Sequence, residues 1–153
     1  MKKEIKILEG LVEELFEKMT IKADFEVSYD KEGETFNVAI KSEDATGLLI
    51  GKKGETLSSL QLILAMLLKS KTDVWSRVLV NVGDYREKEE DYLKNLAQNA
   101  AERALETGNP QNLYNLKPWQ RRVIHMALSE NKDIITESEG EELERYLVIK
   151  PRK

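Results

Sequence analysis

The hydrophobic period changes three times within the first 82 residues, and this alternation restricts the fold more than any other feature. Ile5, Leu8, Val12, Leu15, Phe16 and Met19 recur at helical spacing, so the chain opens on an amphipathic helix with one apolar stripe. The period then falls to two. Phe25, Val27 and Tyr29 alternate with polar residues, as do Phe36, Val38 and Ile40, and "DKEGE" between them supplies a hairpin turn. Helical spacing returns in a short turn over 45–50, which Ser42 or Asp44 is placed to cap. A longer helix follows over 55–69, with Leu57, Leu60, Ile63, Leu64, Leu67 and Leu68 on its apolar face. Val78, Val80 and Val82 restore the alternation of a strand. The predicted order is helix, strand, strand, helix, helix, strand.

A second unit is expected from residue 84, opening with a long helix over 84–107 that joins the two halves. Its packing stripe is Leu93, Leu96, Ala97, Ala100, Ala104 and Leu105. Gly108 is suited to a left-handed helix cap, and Pro110 prevents continuation. "QNLYNL" is a short strand candidate. Pro118 sits where helices favour proline, at the start of "PWQRRVIHMALSE". "DIITESEG" and "RYLVIKPR" read as two strands joined by an acidic turn. The domains are therefore placed at 1–83 and 84–153, and the class is α+β.

Composition excludes much chemistry. The 153 residues contain no cysteine and a single histidine, which removes disulfides, thiol nucleophiles, thiolate zinc sites and multi-histidine metal centres. No cofactor, metal or catalytic residue is expected, and the chain is not read as an enzyme. Glutamates interrupt the first helix, and the longest apolar run, 62–68, is too short to span a bilayer, so no membrane insertion is expected and the location is read as cytoplasmic. The formal net charge is −4. Its distribution matters more than its sum, because screening limits exposed charges to about 10 Å. Cations cluster at Lys52–Lys53, Lys69–Lys71, 117–122 and 150–153.

"LLIGKKGETLSSLQ" is the most informative of these clusters. A P-loop needs one more residue between its glycines than Gly47 and Gly51 leave, and Lys53 stands where its hydroxyl is required. The pattern that fits is Gly-x-x-Gly between two helices. Gly51 and Gly54 permit a tight turn and close approach of a sugar-phosphate backbone, Lys52 and Lys53 add positive charge, and the following helix start favours an anion. Leu48, Leu49, Ile50, Leu57 and Leu60 are expected to floor a groove for bases. An isolated Gly-x-x-Gly is more often a plain helical corner with solvated lysines than a binding loop. The full stretch "FNVAIKSEDATGLLIGKKGETLSSLQLILAML", however, resembles the KH domain signature throughout, in the type II arrangement.

In "KPWQRRVIHMAL", Arg121 and His125 are four apart and share a helix face. With the preceding Pro-aromatic pair, the flanking strands and "ESEGE", this resembles the R-three-H domain, named for its Arg-x-x-x-His motif and associated with single-stranded nucleic acid. The tandem, over about residues 22–153, resembles the Jag family of bacterial RNA-binding proteins, also called KhpB or EloR. Trp119 and Gln120 stand where family members tend to have Tyr-Glu. The chain is expected to lack the family's N-terminal Jag domain. The resemblance implies binding of single-stranded RNA, or single-stranded DNA, by Ile50, Gly51, Lys52, Lys53 and Gly54 and by Lys117, Trp119, Arg121, Arg122 and His125. It also implies a post-transcriptional regulator or RNA chaperone linked to cell elongation and division, partnered by a small KH-only protein. The alternative is a protein-interaction adapter of the cell-envelope machinery with incidental nucleic-acid affinity.

Overall fold

The computed structural model describes residues 1–152; Lys153, the last of the C-terminal cations, lies outside the described residues. The chain divides into two compact units after Arg86.

Helix α1 (Lys2–Met19) buries Leu8, Leu11, Val12 and Phe16. Met19, expected in this stripe, is exposed because the helix ends beside it: Thr20 turns left-handed at φ 57°, and the Ile21 amide closes on the Phe16 carbonyl. Strands β1 (Asp24–Asp30) and β2 (Thr35–Lys41) form the predicted hairpin, pairing Phe25 with Ile40, Val27 with Val38 and Tyr29 with Phe36. Helix α2 (Thr46–Ile50) begins where the Ser42 hydroxyl accepts the Ala45 amide at 2.9 Å. A single 3-10 turn (Lys52–Gly54) leads into α3 (Glu55–Thr72). Strand β3 (Arg77–Val82) then runs parallel to β2, giving the sheet order β1-β2-β3. The element order is the one read from the hydrophobic periods.

One core holds this unit together. Phe36, Val38, Ile40, Val78, Val80 and Val82 pack with the α1 residues and with Leu57, Leu60, Leu64 and Leu68 of α3. Full burial of each such side chain is worth about 1.5–3 kcal/mol. Ile63 does not join them. It is exposed with Leu62 and Met66, so α3 shows an apolar strip to solvent as well as to the core.

Helix α4 (Tyr85–Thr107) has its first two residues, Tyr85 and Arg86, in the first unit and the remainder in the second. It buries Leu93, Ala97, Ala100, Ala101 and Ala104. Four alanines allow neighbouring side chains close to its backbone. Leu105 is exposed rather than buried, and Ala101 belongs to the core face. Gly108 terminates the helix region with φ 69°, as its position suggests. Strand β4 (Gln111–Leu113), helix α5 (Pro118–Leu128), strand β5 (Ile134–Glu139) and strand β6 (Tyr146–Pro151) follow. β6 lies between β4 and β5, antiparallel to both. Ile124 and Leu128 of α5 meet Ile134, Leu147 and Ile149 of the sheet over the α4 alanines. Both units are mixed α+β.

Candidate nucleic-acid interface

The Gly-x-x-Gly turn depends on both glycines. Gly51 has φ 70°, and a Cβ there would lie 2.1 Å from the Thr56 hydroxyl and 2.9 Å from the Thr56 amide nitrogen. Gly54 also has φ 70° and is buried; a Cβ on it would lie 2.7 Å from the Tyr85 hydroxyl. At Gly51 backbone conformation and space both require glycine, and at Gly54 the left-handed backbone beside the Tyr85 hydroxyl favours it. Lys53 occupies the left-handed region at φ 51°, a cost of order 1–3 kcal/mol for a non-glycine residue that the surrounding turn must offset. Lys52 and Lys53 are both exposed at the crest of the turn, immediately before the start of the 18-residue helix α3.

The expected apolar floor is corrected by the structure. Leu49, Leu57 and Leu60 are core residues with at most 4% of their surface exposed, because their helical spacing points them at the sheet. Of the five, Leu48 is exposed and Ile50 half-buried. Tyr85 and Arg86, which sequence reasoning did not single out, stand in their neighbourhood. Tyr85 buttresses Gly54. The Arg86 guanidinium donates to the Val80 carbonyl at 3.2 Å and to Gln61 Oε1 at 3.1 Å, and Gln61 Oε1 accepts the Val80 amide at 3.1 Å. Two side chains thus satisfy the backbone amide and carbonyl of Val80 in the edge strand β3.

In the second unit, Pro118 starts α5 with no amide to satisfy, and the Gln120 side chain secures that start. Its oxygen accepts the Lys117 amide at 2.7 Å and its nitrogen donates to Glu89 of α4 at 2.8 Å. Pro118, Arg121, Arg122 and His125 then share one face of the helix. With Thr136 and Ser138 of β5, Arg145 and Leu147, they line a cavity of about 410 Å³. The Arg121 guanidinium is aimed by a 2.6 Å bond to the Leu116 carbonyl. His125 is exposed and pairs through Nδ1 with the Thr136 hydroxyl. Three guanidinium groups, an imidazole and two hydroxyls around one concavity suit a phosphate, since arginine offers paired donors to its oxygens.

Arg121, Arg122 and His125 are therefore brought together. Lys117 and Trp119 do not line the cavity: Lys117 stands at the helix N-cap position, where its amide donates to the Gln120 side chain, and Trp119 is half-buried against the second core. Arg145, Thr136 and Ser138 were not anticipated. Ser138 lies opposite Leu147 in the β5–β6 register, and only that pairing carries these residues to α5.

The first unit matches the model of the KhpA/KhpB KH domain over residues 6–80, and the second matches the R-three-H domain over 91–151. The chain is thus a tandem KH and R-three-H protein. Similar proteins include the RNA-binding protein KhpB of Clostridium symbiosum, 35% identical over 90% of this chain and 62% of that relative. The RNA-binding protein KhpB of Bacillus subtilis is 32% identical over 84% of this chain and 62% of its own length, and that of Lactiplantibacillus plantarum 32% over 87% and 40%. The chain spans between 40% and 62% of the length of these relatives. A KH domain followed by an R-three-H domain is the tandem of the Jag family, which the chain resembles over most of its length.

Proposed function

We propose that this chain binds single-stranded RNA through two surfaces and acts as a post-transcriptional regulator or RNA chaperone linked to bacterial cell elongation and division. The Gly51–Gly54 turn with its two exposed lysines carries the reading. It clamps the backbone of about four nucleotides, as KH domains do. Ile50, half-buried beside it, offers an apolar edge to a base. The Arg121–Arg122–His125 face supplies a second phosphate contact. The names of the relatives support RNA as the ligand, with single-stranded DNA as a competitor of the same backbone charge. No catalytic step is assigned. No helix among the described residues is long and apolar enough to cross a membrane, which is compatible with action in the cytoplasm. Ultraviolet crosslinking in cells tests the function: enriched RNA supports it, and none supports the adapter reading instead.

Arg121→Ala is expected to weaken single-stranded RNA binding by about 1.5–3 kcal/mol, the range for a hydrogen bond to a charged group. The melting temperature should fall only modestly, by no more than the loss of the bond to the Leu116 carbonyl, about 1 kcal/mol, because Arg121 is not a core residue. Thr136→Val should weaken binding less, since it frees His125 without removing a charge. Fluorescence anisotropy on the two variants checks the order.

The exposed strip of Leu62, Ile63 and Met66 on α3 favours a protein partner in addition to RNA, and the partner we propose is a small KH-only protein. Leu62→Lys with Met66→Lys should leave the melting temperature in place and abolish co-purification of that partner. Co-purification at the wild-type level would remove the strip from the account.

A further inference from the structure

The loop between α3 and β3, "DVWS", leaves its apolar residues in solvent. Val74 is 63% exposed and Trp75 57%, whereas the other tryptophan, Trp119, is half-buried. An indole buries more apolar area than most side chains, so one held in solvent at the mouth of a cavity calls for a ligand. The cavity beneath it measures about 630 Å³ and is walled by Tyr29, Phe36, Thr72 and Arg77. Tyr29 and Phe36 are a tilted pair with ring centroids 4.7 Å apart. The Lys69 ammonium stands 5.9 Å from the Trp75 ring centre, which places a cation against the aromatic face. Arg77, at the first position of β3, is exposed. Glu4 and Glu34 also line the cavity, and Glu4 is paired with the N-terminal ammonium.

We propose that Trp75 is a stacking platform for an unpaired base of single-stranded RNA, with Lys69 and Arg77 receiving the adjoining phosphates. The ligand class follows from the chemistry of the wall: an aromatic face that accepts any base, flanked by two cations, with a cavity volume in the range of a nucleotide-sized ligand. The inference rests on the RNA-binding reading and extends it to the other end of α3. That helix has 18 residues, so Trp75 lies about 27 Å from the Gly-x-x-Gly turn. A strand clamped there over about four nucleotides does not reach Trp75, and a longer one does. Trp75 therefore adds to the affinity for long strands alone, in addition to what the Arg121–Arg122–His125 face contributes.

The test compares single-stranded RNA of mixed sequence, four nucleotides and about twelve nucleotides long, on the full chain and its variants. The longer strand should bind wild type more tightly. Trp75→Ala should remove about tenfold of that affinity and leave the short strand unchanged, while Trp75→Phe restores most of it, since base stacking on an aromatic ring is sequence-tolerant and tracks the ring. The component of tryptophan emission that Trp75→Phe deletes should be quenched by the long strand only. If Trp75→Ala binds both strands as wild type does while Lys52→Asp with Lys53→Asp loses them, the platform is overturned and the RNA reading stands. If neither strand binds wild type, both fall. If Trp75→Ala keeps RNA affinity but loses a protein partner, the residue is an interface anchor and the proposal is overturned.

Discussion

Replacing Leu8 by aspartate is expected to unfold the first unit at temperatures where the wild-type chain is fully folded. Leu8 is completely buried on α1, among residues of α1, α3 and the sheet. The substitution removes a side chain whose burial is worth about 1.5–3 kcal/mol and places a carboxylate inside the apolar core. The carboxylate either takes up a proton or forces the helix off the sheet, and either route costs several kcal/mol more. A total of about 4–5 kcal/mol is a large part of the stability of a domain this size. Leu15→Asp should cost less, because Leu15 is only half-buried. Thermal denaturation followed by circular dichroism should show an early transition in the Leu8 variant. An unchanged curve would mean that α1 is not part of the folding unit.

That prediction shows which parts of the structure are legible from residues alone. The two periods separate helices from strands because burial on one face imposes them directly. Val78, Val80 and Val82 therefore mark β3, and Leu60, Leu64 and Leu68 mark the inner face of α3. Periodicity locates a stripe without bounding its width. Ile63 and Leu105 lie at its margins and end up exposed, and Leu11 and Ala101 end up buried. The Gly-x-x-Gly turn was legible because positive φ at Gly51 and Gly54 leaves few alternatives to glycine.

What remained hidden are contacts made by folding over distance. Arg145 and Thr136 reach Arg121 and His125 only because β5 and β6 pair in one register against α5. Tyr85 reaches Gly54 from 31 positions along the chain, and no local pattern announces it. Trp119 looked like a stacking residue by type and position. Its place on α5 turns it toward the core instead, while Gln120 ties the helix start to Glu89.

The second large effect expected is on binding. Lys52 and Lys53 are exposed, so aspartate at both positions should leave the circular-dichroism spectrum and melting temperature near wild type. The same change reverses the charge at the crest of the turn, where a phosphate backbone passes closest to the main chain. Two charge-assisted contacts of about 1.5–3 kcal/mol each are lost and two repulsions are gained, so affinity for single-stranded RNA should fall by at least about 100-fold. Neutralised phosphates also set the salt dependence, with a slope of about 0.7 per contact on a single strand. The most direct measurement is the affinity for single-stranded RNA across a salt series, taken on wild type and the double variant together. The account predicts wild-type binding that weakens steeply with salt, and a folded variant whose affinity is far lower and whose slope is shallower by about 1.4. Equal affinity and equal slope in two correctly folded proteins would contradict it.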